Sequence, residues 1–388
     1  MSAGLLTAAA SFQLLTQITA VVPAKWTTWA LRSSAVQVTI LLSSRVRDQL
    51  GAWNIPVSAF TLTGLLALPT GGNDRKRTPV VYTAAAATAL GMITSAGIAA
   101  KSKEVTGRFP AAFIPFAPQG KKPNSTVVYA SPDREDLRAD LYLPTVEGNT
   151  GRTPLVIKIH GGGFVYGSRK TDTLTSWLAE HGYAVMDIDY RLAARGKPTW
   201  DQAGRDIGCA LVWARAHADD YGWDVERIAT LGDSAGGNLA LNVAYMANSK
   251  TVTPSTRPSE ELPHVGATIG LFPAVDLTAG EKGSRLGQLA GGLYIGGPSD
   301  EFLDRYEAAS TRMHIEGKSA PTLVVQGSTD HLVLTGPVED FMRHLAHKEI
   351  AHRMVSIPFT DHAFISNGAN PAVQIGRHAI LAWLNEYL

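Results

Sequence analysis

Gly232-Asp233-Ser234-Ala235-Gly236 directly follows a strand-like run at 227–231 and opens a stretch with helical spacing at 235–247. A Gly-x-Ser-x-Gly sequence at a strand-to-helix junction is typical of a nucleophile elbow, the tight turn that presents a serine hydroxyl. Because serine is a poor nucleophile at neutral pH, it needs a base within reach and free N–H groups beside it. The elbow alone is a moderately specific signal, since short Gly/Ser patterns recur in ordinary turns.

A second signal lies upstream, where a strand-like run leads into His160-Gly161-Gly162-Gly163-Phe164. Consecutive glycines expose backbone N–H groups, and donors preorganised for a tetrahedral oxyanion are worth ~3 to 4 kcal/mol each in acyl transfer. We expect the N–H groups of Gly162, Gly163 and Ala235 to form such an oxyanion hole. For His160 we expect a structural hydrogen bond rather than proton transfer.

A third signal lies downstream, where an acid and then a histidine must follow the serine in the fold that carries such an elbow. Asp330 comes after the strand-like run 322–326, and His362 comes after the run 353–358. Both positions are at strand ends, where such sites are built. We therefore predict Ser234, Asp330 and His362 as the catalytic residues.

Three other aspartates compete with Asp330 for the role of the acid. Asp361 is adjacent to His362 and would point differently, Asp276 comes one strand early, and Asp300 lies in a helical insertion. Chain order and position at a strand end favour Asp330 over all three.

Strand-like and helix-like segments alternate through the last two-thirds of the chain, which predicts an α/β fold with a mostly parallel sheet and helices on both faces. The predicted strands are 126–130, 138–143, 155–160, 184–190, 227–231, 265–272, 322–326 and 353–358. The predicted helices are 172–181, 199–221, 235–247, 336–346 and 371–387.

Five short motifs occur in this part of the chain in a specific order. They are His160-Gly-Gly-Gly-Phe164, Asp189-Tyr-Arg-Leu192, Gly232-Asp-Ser-Ala-Gly-Gly237, Asp330-x-Leu332 and His362-Ala-Phe364. Together they resemble the hormone-sensitive-lipase-like family of α/β-hydrolases over residues ~106 to 388, about the size of one α/β domain.

The resemblance implies hydrolysis of small-molecule or lipid carboxylic esters by Ser234, His362 and Asp330, without a metal or an organic cofactor. It also implies a cap built from the N-terminal segment and from an insertion after the sixth strand, here 276–319. An acyltransferase or an amidase would use the same triad. A non-catalytic ligand receptor on this fold would lack the triad histidine, whereas His362 is present.

The amino-acid composition excludes several classes of protein. The chain has 388 residues, 45% apolar and 18% charged, which excludes wholesale disorder and a small disulfide scaffold. A single cysteine, Cys209, can form neither an internal disulfide nor a thiolate metal cluster. Whether the chain forms a homo-oligomer is left open.

Charge is divided unevenly along the chain. Residues 1–122 carry twelve Lys and Arg against three acids, a charge of +9, which leaves 23 basic and 31 acidic residues, or −8, in the rest. A basic segment can face nucleic acid or an anionic membrane, and the sequence between its charges distinguishes the two. Those stretches are apolar, so we expect membrane lipid as a partner and no nucleic acid.

Three runs lack any charged side chain, namely 1–24, 49–73 and 78–100. Each reaches the ~20 residues needed to cross a hydrocarbon core, so the sequence predicts a membrane-associated helical region. Buried helices of a soluble cap are the alternative. We divide the chain into an N-terminal apolar helical region at 1–103, a linker at 104–125 and a catalytic domain at 126–388.

Overall fold

The computed structural model describes residues 74–110, 120–144, 151–169, 173–279, 284–365 and 370–388. The uncharged runs 1–24 and 49–73 lie outside the described residues, as does the part of the predicted linker between 111 and 119.

The core of the structure is a single eight-stranded sheet. Its strands are β1 Ser125–Ala130, β2 Leu137–Tyr142, β3 Thr153–Ile159, β4 Ala184–Ile188, β5 Trp223–Asp233, β6 Ala267–Leu271, β7 Thr322–Gly327 and β8 His352–Ile357. Their order is β1-β2-β4-β3-β5-β6-β7-β8. The pairs β1–β2 and β2–β4 are antiparallel, and the other five are parallel. The predicted eight-stranded, mostly parallel sheet is confirmed.

Helices follow the strands as the alternating pattern predicts. They are α1 Asp74–Thr106, α2 Thr173–Glu180, α3 Ala203–Ala216, α4 Ala218–Tyr221, α5 Ala235–Asn248, α6 Arg285–Ile295, α7 Leu303–Ala309, α8 Thr335–His347 and α9 Pro371–Tyr387. The predicted helix 199–221 is divided into α3 and α4, because the backbone at His217 (φ −110°, ψ 13°) leaves the helical region.

The sheet is buried on both faces, which explains why its central strands read as continuous apolar runs. Side chains alternate along β3, so that Leu155 and Ile157 enter one layer of the core and Val156 enters the other. Helices α3, α5 and α8 cover the first layer. Helices α2 and α9 cover the second.

The predicted cap insertion 276–319 lies between β6 and β7 and contains α6 and α7. Ser284 begins α6 as its N-cap, because its side-chain oxygen accepts a hydrogen bond from the N–H of Gly287 at 3.0 Å. Gly296 ends α6 with a φ of 106°, which is strained for any residue with a side chain. These two ends give α6 a defined length above the carboxyl edge of the sheet.

The third uncharged run, 78–100, is helical and lies within α1. Along α1, the residues buried at helical spacing include Ala87, Thr94 and Ser102. Helix α1 packs against α9. Within the described ranges, none of the helices combines the length and apolarity that a bilayer crossing requires. Membrane association of the N-terminal region stays a prediction.

Helix α1 approaches the rest of the fold closely at Gly97. A Cβ atom at this position would lie 2.4 Å from Cε2 of Phe359, well inside van der Waals contact. Phe359 precedes His362 by three residues, so α1 contacts the loop that carries the predicted catalytic histidine. The absence of a side chain at Gly97 allows this contact.

Replacing Gly97 therefore tests how α1 is held. We expect Gly97→Leu to lower the free energy of unfolding in urea by about 1–2 kcal/mol, because overpacking outweighs the better helix propensity of leucine. Ala96→Leu, on the exposed side of the same turn, is the control and should stay within about 0.5 kcal/mol of wild type. Equal stability of the two variants would contradict the contact with Phe359.

Candidate active site

Ser234 lies at the tight turn that joins β5 to α5. Its φ of 55° and ψ of −116° belong to a region that residues with a side chain rarely adopt. The Ser234 N–H donates to the carbonyl oxygen of Leu271 at 2.8 Å, which fixes the turn to the neighbouring strand β6. Such strain presents a hydroxyl away from the sheet and is typical of functional turns.

The two glycines of the elbow allow close backbone contacts. A Cβ atom at Gly236 would lie 2.3 Å from the carbonyl oxygen of Ile159, and one at Gly232 would lie 2.1 Å from that of Gly236. No other residue type fits at these distances. The end of β3, with the glycine loop that follows it, is thereby held against the first turn of α5.

His362 connects the serine to the predicted acid. Its Nε2 lies 2.9 Å from Oγ of Ser234, and its Nδ1 lies 2.8 Å from Oδ2 of Asp330. With Nδ1 protonated, the ring donates to the carboxylate and Nε2 accepts the hydrogen bond of the hydroxyl. The structure thus brings together all three residues that chain order predicted.

Asp330 is fully buried and held on both oxygens. Its Oδ1 accepts hydrogen bonds from the N–H groups of Leu332 at 2.9 Å and Val333 at 2.8 Å. Its Oδ2 also accepts from Nε2 of Gln326 at 3.0 Å. Sequence alone did not identify Gln326, although its place at the end of β7, four residues before the acid, was the available signal.

The three rival aspartates do not take the position of Asp330 beside Nδ1 of His362. Asp276 accepts from the N–H groups of Thr278 and Ala279 and pairs with Arg312, and Asp300 is exposed in a turn. Asp361 turns its carboxylate away from the His362 ring toward His331.

Opposing effects act on the pKa of His362. Burial alone would lower the pKa of the imidazole. The charge of Asp330 and its hydrogen bond, with the charges of Asp361 and Asp233, outweigh burial and raise the pKa of His362 above its ordinary value of 6.5. The ring is therefore a stronger base than free imidazole.

The predicted oxyanion residues lie beside Ser234. Gly162 and Gly163 have φ of 123° and 62°, and a Cβ atom at Gly162 would lie 1.8 Å from the carbonyl oxygen of Tyr166. Ala235 is the first residue of α5, where backbone N–H groups lack an intrahelical acceptor. Within the described residues, neither the Gly162 nor the Gly163 N–H donates to another backbone group.

His160 makes the structural contacts expected of it. Its Nδ1 lies 2.7 Å from the carbonyl oxygen of Gly161, and its ring stacks on Tyr190 with centroids 4.5 Å apart. Burial lowers the pKa of His160, which keeps the ring neutral. Through its contact with Gly161, the His160 ring helps to hold the glycine loop in place.

Two cavities open onto Ser234. One, of about 370 Å³, is mostly apolar and is lined by the glycine loop, by segments following β6 and β7, and by Leu286, Leu289 and Leu293 of α6. The other, of about 400 Å³, extends past His362 toward Tyr166 and Ser168. The first cavity explains why Leu289 and Leu293 are exposed leucines, since they face its interior rather than the core.

The BD-FAE family model matches residues 139–345, more than half of the chain. The chain belongs to the BD-FAE family. The matched range contains Ser234 and Asp330, whereas His362 lies beyond it. The resemblance to hormone-sensitive-lipase-like α/β-hydrolases is confirmed, since mouse hormone-sensitive lipase is 41% identical over 95 residues, 24% of this chain and 12% of that protein.

Two relatives of this BD-FAE member are named as ester hydrolases of Mycobacterium tuberculosis. The probable carboxylic ester hydrolase LipM is 29% identical over 55% of this chain and 50% of its own length. Esterase LipC is 26% identical over 61% of this chain and 59% of its own length. The chain thus spans only half to three-fifths of the length of these relatives.

A solved structure with the same fold is that of Thermogutta terrifontis esterase 2. It superimposes with a TM-score of 0.54 at 24% sequence identity and covers 68% of this chain and 93% of that chain. The likeness supports the α/β-hydrolase architecture of the described domain.

The environment of His362 makes a prediction for its titration. We expect an imidazole pKa above 6.5 when His362 is followed by NMR. Asp330→Asn should lower this pKa, because the stabilising charge is lost while burial still opposes protonation. Asp276→Asn, which removes a carboxylate paired elsewhere, should leave it unchanged. A pKa that is insensitive to Asp330→Asn would contradict the assignment of the acid.

Proposed function

We propose that the chain is a serine carboxylic-ester hydrolase that forms an acyl-enzyme intermediate on Ser234. The observation that carries the proposal is the continuous hydrogen-bonded chain from Ser234, which lines an apolar cavity, through His362 to buried Asp330. The esterases named among its relatives support the same reaction class.

In the first half-reaction, Oγ of Ser234 attacks the ester carbonyl carbon while Nε2 of His362 takes the hydroxyl proton. The carbonyl oxygen becomes an oxyanion that accepts hydrogen bonds from the N–H groups of Gly162, Gly163 and Ala235. His362 then gives its proton to the leaving alcohol as the carbon–oxygen bond of the ester breaks.

In the second half-reaction, His362 takes a proton from water as the water attacks the acyl carbon. Collapse of this second tetrahedral intermediate returns the proton to Oγ of Ser234 and releases the acid. Asp330 keeps Nδ1 protonated in both steps and stabilises the imidazolium that forms. An acyltransferase would differ in the acceptor that replaces water, and an amidase in the leaving group.

The apolar cavity indicates an ester with a hydrocarbon chain rather than a highly polar one. Its walls are built mainly from leucine, alanine and glycine, and its volume is about 370 Å³. Burial of such a chain gains ~0.8 kcal/mol for each CH₂ group. We infer that the cavity binds the apolar part of the substrate, whether that is the acyl chain or the alcohol.

Membrane association belongs to the proposal as a separate element. It is supported by the charge of +9 in residues 1–122 and by the uncharged runs 1–24 and 49–73. A lipidic ester would suit both the apolar cavity and such an attachment. The hydrolytic mechanism does not depend on it.

The nucleophile is tested by Ser234→Ala. We expect the turnover of nitrophenyl esters to fall by about 10⁶-fold, because the attacking atom is removed. Ser131→Ala, at an exposed serine that lines neither cavity, is the matched control and should keep wild-type turnover. Mass spectrometry after rapid quenching should show an acylated wild-type protein. Wild-type turnover by Ser234→Ala would refute the mechanism.

The cavity is tested by Leu289→Trp, which fills it from α6. We expect kcat/KM for a nitrophenyl hexanoate to fall by about 10-fold or more, since each unaccommodated methylene costs about 1–3 kcal/mol. The acetate ester, which has almost no chain, should be affected least. Leu303→Trp, at an exposed leucine of α7 outside both cavities, is the control. Equal losses for acetate and hexanoate would exclude the cavity as the chain-binding site.

A further inference from the structure

A second pair of buried, hydrogen-bonded side chains lies next to the candidate site. Nδ1 of His331 lies 2.8 Å from Oδ2 of Asp361, and the two residues are only 1% and 0% exposed. His331 follows Asp330 in sequence, and Asp361 precedes His362. Each member of the pair is therefore covalently attached to a residue of the proposed triad.

The other carboxylate oxygen of Asp361 accepts hydrogen bonds from two backbone N–H groups. Oδ1 accepts a hydrogen bond from the N–H of His331 at 2.9 Å and from the N–H of His362 at 2.7 Å. One of these donors belongs to the loop after β7, and the other belongs to the loop after β8. A single carboxylate thus ties the backbone of the acid loop to the backbone of the histidine loop.

The same two loops meet in further close contacts. Thr329 donates to the carbonyl oxygen of Thr360 through its N–H and through its hydroxyl, both at 3.1 Å. A Cβ atom at Gly327 would lie 2.3 Å from that carbonyl oxygen. These neutral contacts bring the loops together, and Asp361 adds the charge-assisted hydrogen bonds closest to the triad.

We propose that Asp361 is a positioning residue, which holds the acid loop and the histidine loop in the register that lets Asp330 and His362 meet. The proposal rests on the proposed ester hydrolysis for its catalytic consequence. Asp361 touches no reacting atom, and it acts through the backbone of His362 and His331. Its hydrogen bond to His331 occupies the remaining oxygen and so keeps the carboxylate buried and oriented.

Register matters because the contact between the His362 ring and Asp330 is a single hydrogen bond of 2.8 Å. A displacement of about 1 Å in one loop would break it, and misplacements of this size cost about 10²-fold in rate. The charge of Asp361 adds a second effect. The charged or titratable groups that act on the His362 ring are Asp330, Asp361 and Asp233, and all three raise its pKa.

Two substitutions separate these effects. Asp361→Ala removes the loop connection, so we expect kcat for nitrophenyl esters to fall by about 10²-fold, with KM within about twofold of wild type. Asp361→Asn keeps an oxygen for the two N–H donors but removes the charge. We expect it to retain kcat within about 10-fold of wild type and to move the acidic limb of the kcat/KM profile to lower pH, because His362 loses a stabilising charge.

A stability control is available at Asp206, whose buried carboxylate binds Arg191 through both oxygens. Asp206→Asn should lower the melting temperature at least as much as Asp361→Ala, yet leave kcat and the pH profile unchanged. Loss of kcat in proportion to melting temperature in all variants would overturn the positioning role. Wild-type kcat in Asp361→Ala, or equal loss in Asp361→Asn and Asp361→Ala without a pH shift, would also overturn it.

An NMR readout distinguishes this inference from the proposed function, because it needs no substrate. The downfield resonance of the proton between His362 and Asp330 should be present in wild type and in Asp361→Asn and lost in Asp361→Ala. A wild-type protein that hydrolyses no ester would refute the proposed function, while this resonance would still decide the inference. Persistence of the resonance in Asp361→Ala would overturn the positioning role.

Discussion

A neutral hydroxyl becomes a nucleophile only if a base takes its proton at the moment of attack, and the proposed mechanism therefore requires side chains from distant loops to meet. Ser234, Asp330 and His362 come from the ends of β5, β7 and β8, which lie close together in the sheet. Parallel strands expose their carboxyl ends at one edge, so loops distant in sequence converge there. The hydrogen-bonded chain of 2.9 Å and 2.8 Å depends on that edge.

Glycine determines how close the glycine loop can come to the serine. Gly236 approaches the carbonyl oxygens at the end of β3, and Gly162 approaches that of Tyr166, at distances where no side chain fits. Both contacts press backbone against backbone, and among the described residues the N–H groups of Gly162 and Gly163 have no backbone acceptor. The strained φ of Ser234 belongs to the same arrangement, because the surrounding sheet holds the turn in place.

The sheet, its two covering layers and the triad could be predicted because each rests on a local pattern: a strand-like run, a helical period, or a short motif at a strand end. Gln326, His331 and the packing of α1 through Gly97 could not. Each depends on which distant part of the chain packs against the element. A hydrophobic period predicts which face of an element is buried, but it does not predict which other element covers that face. Asp361 was recognised as a carboxylate that points away from the ring, but one of its two backbone donors, the N–H of His331, lies 30 residues before it in the chain.

Electrostatics gives the final constraint on the site. Three carboxylates, those of Asp330, Asp361 and Asp233, act on one buried imidazole, and their combined effect exceeds the opposing effect of burial. In the proposed mechanism, such an environment stabilises the imidazolium that forms during attack. A base whose pKa is raised too far would already hold its proton and could not act at neutral pH. Burial is therefore part of the mechanism, because it limits the rise in pKa that the carboxylates cause.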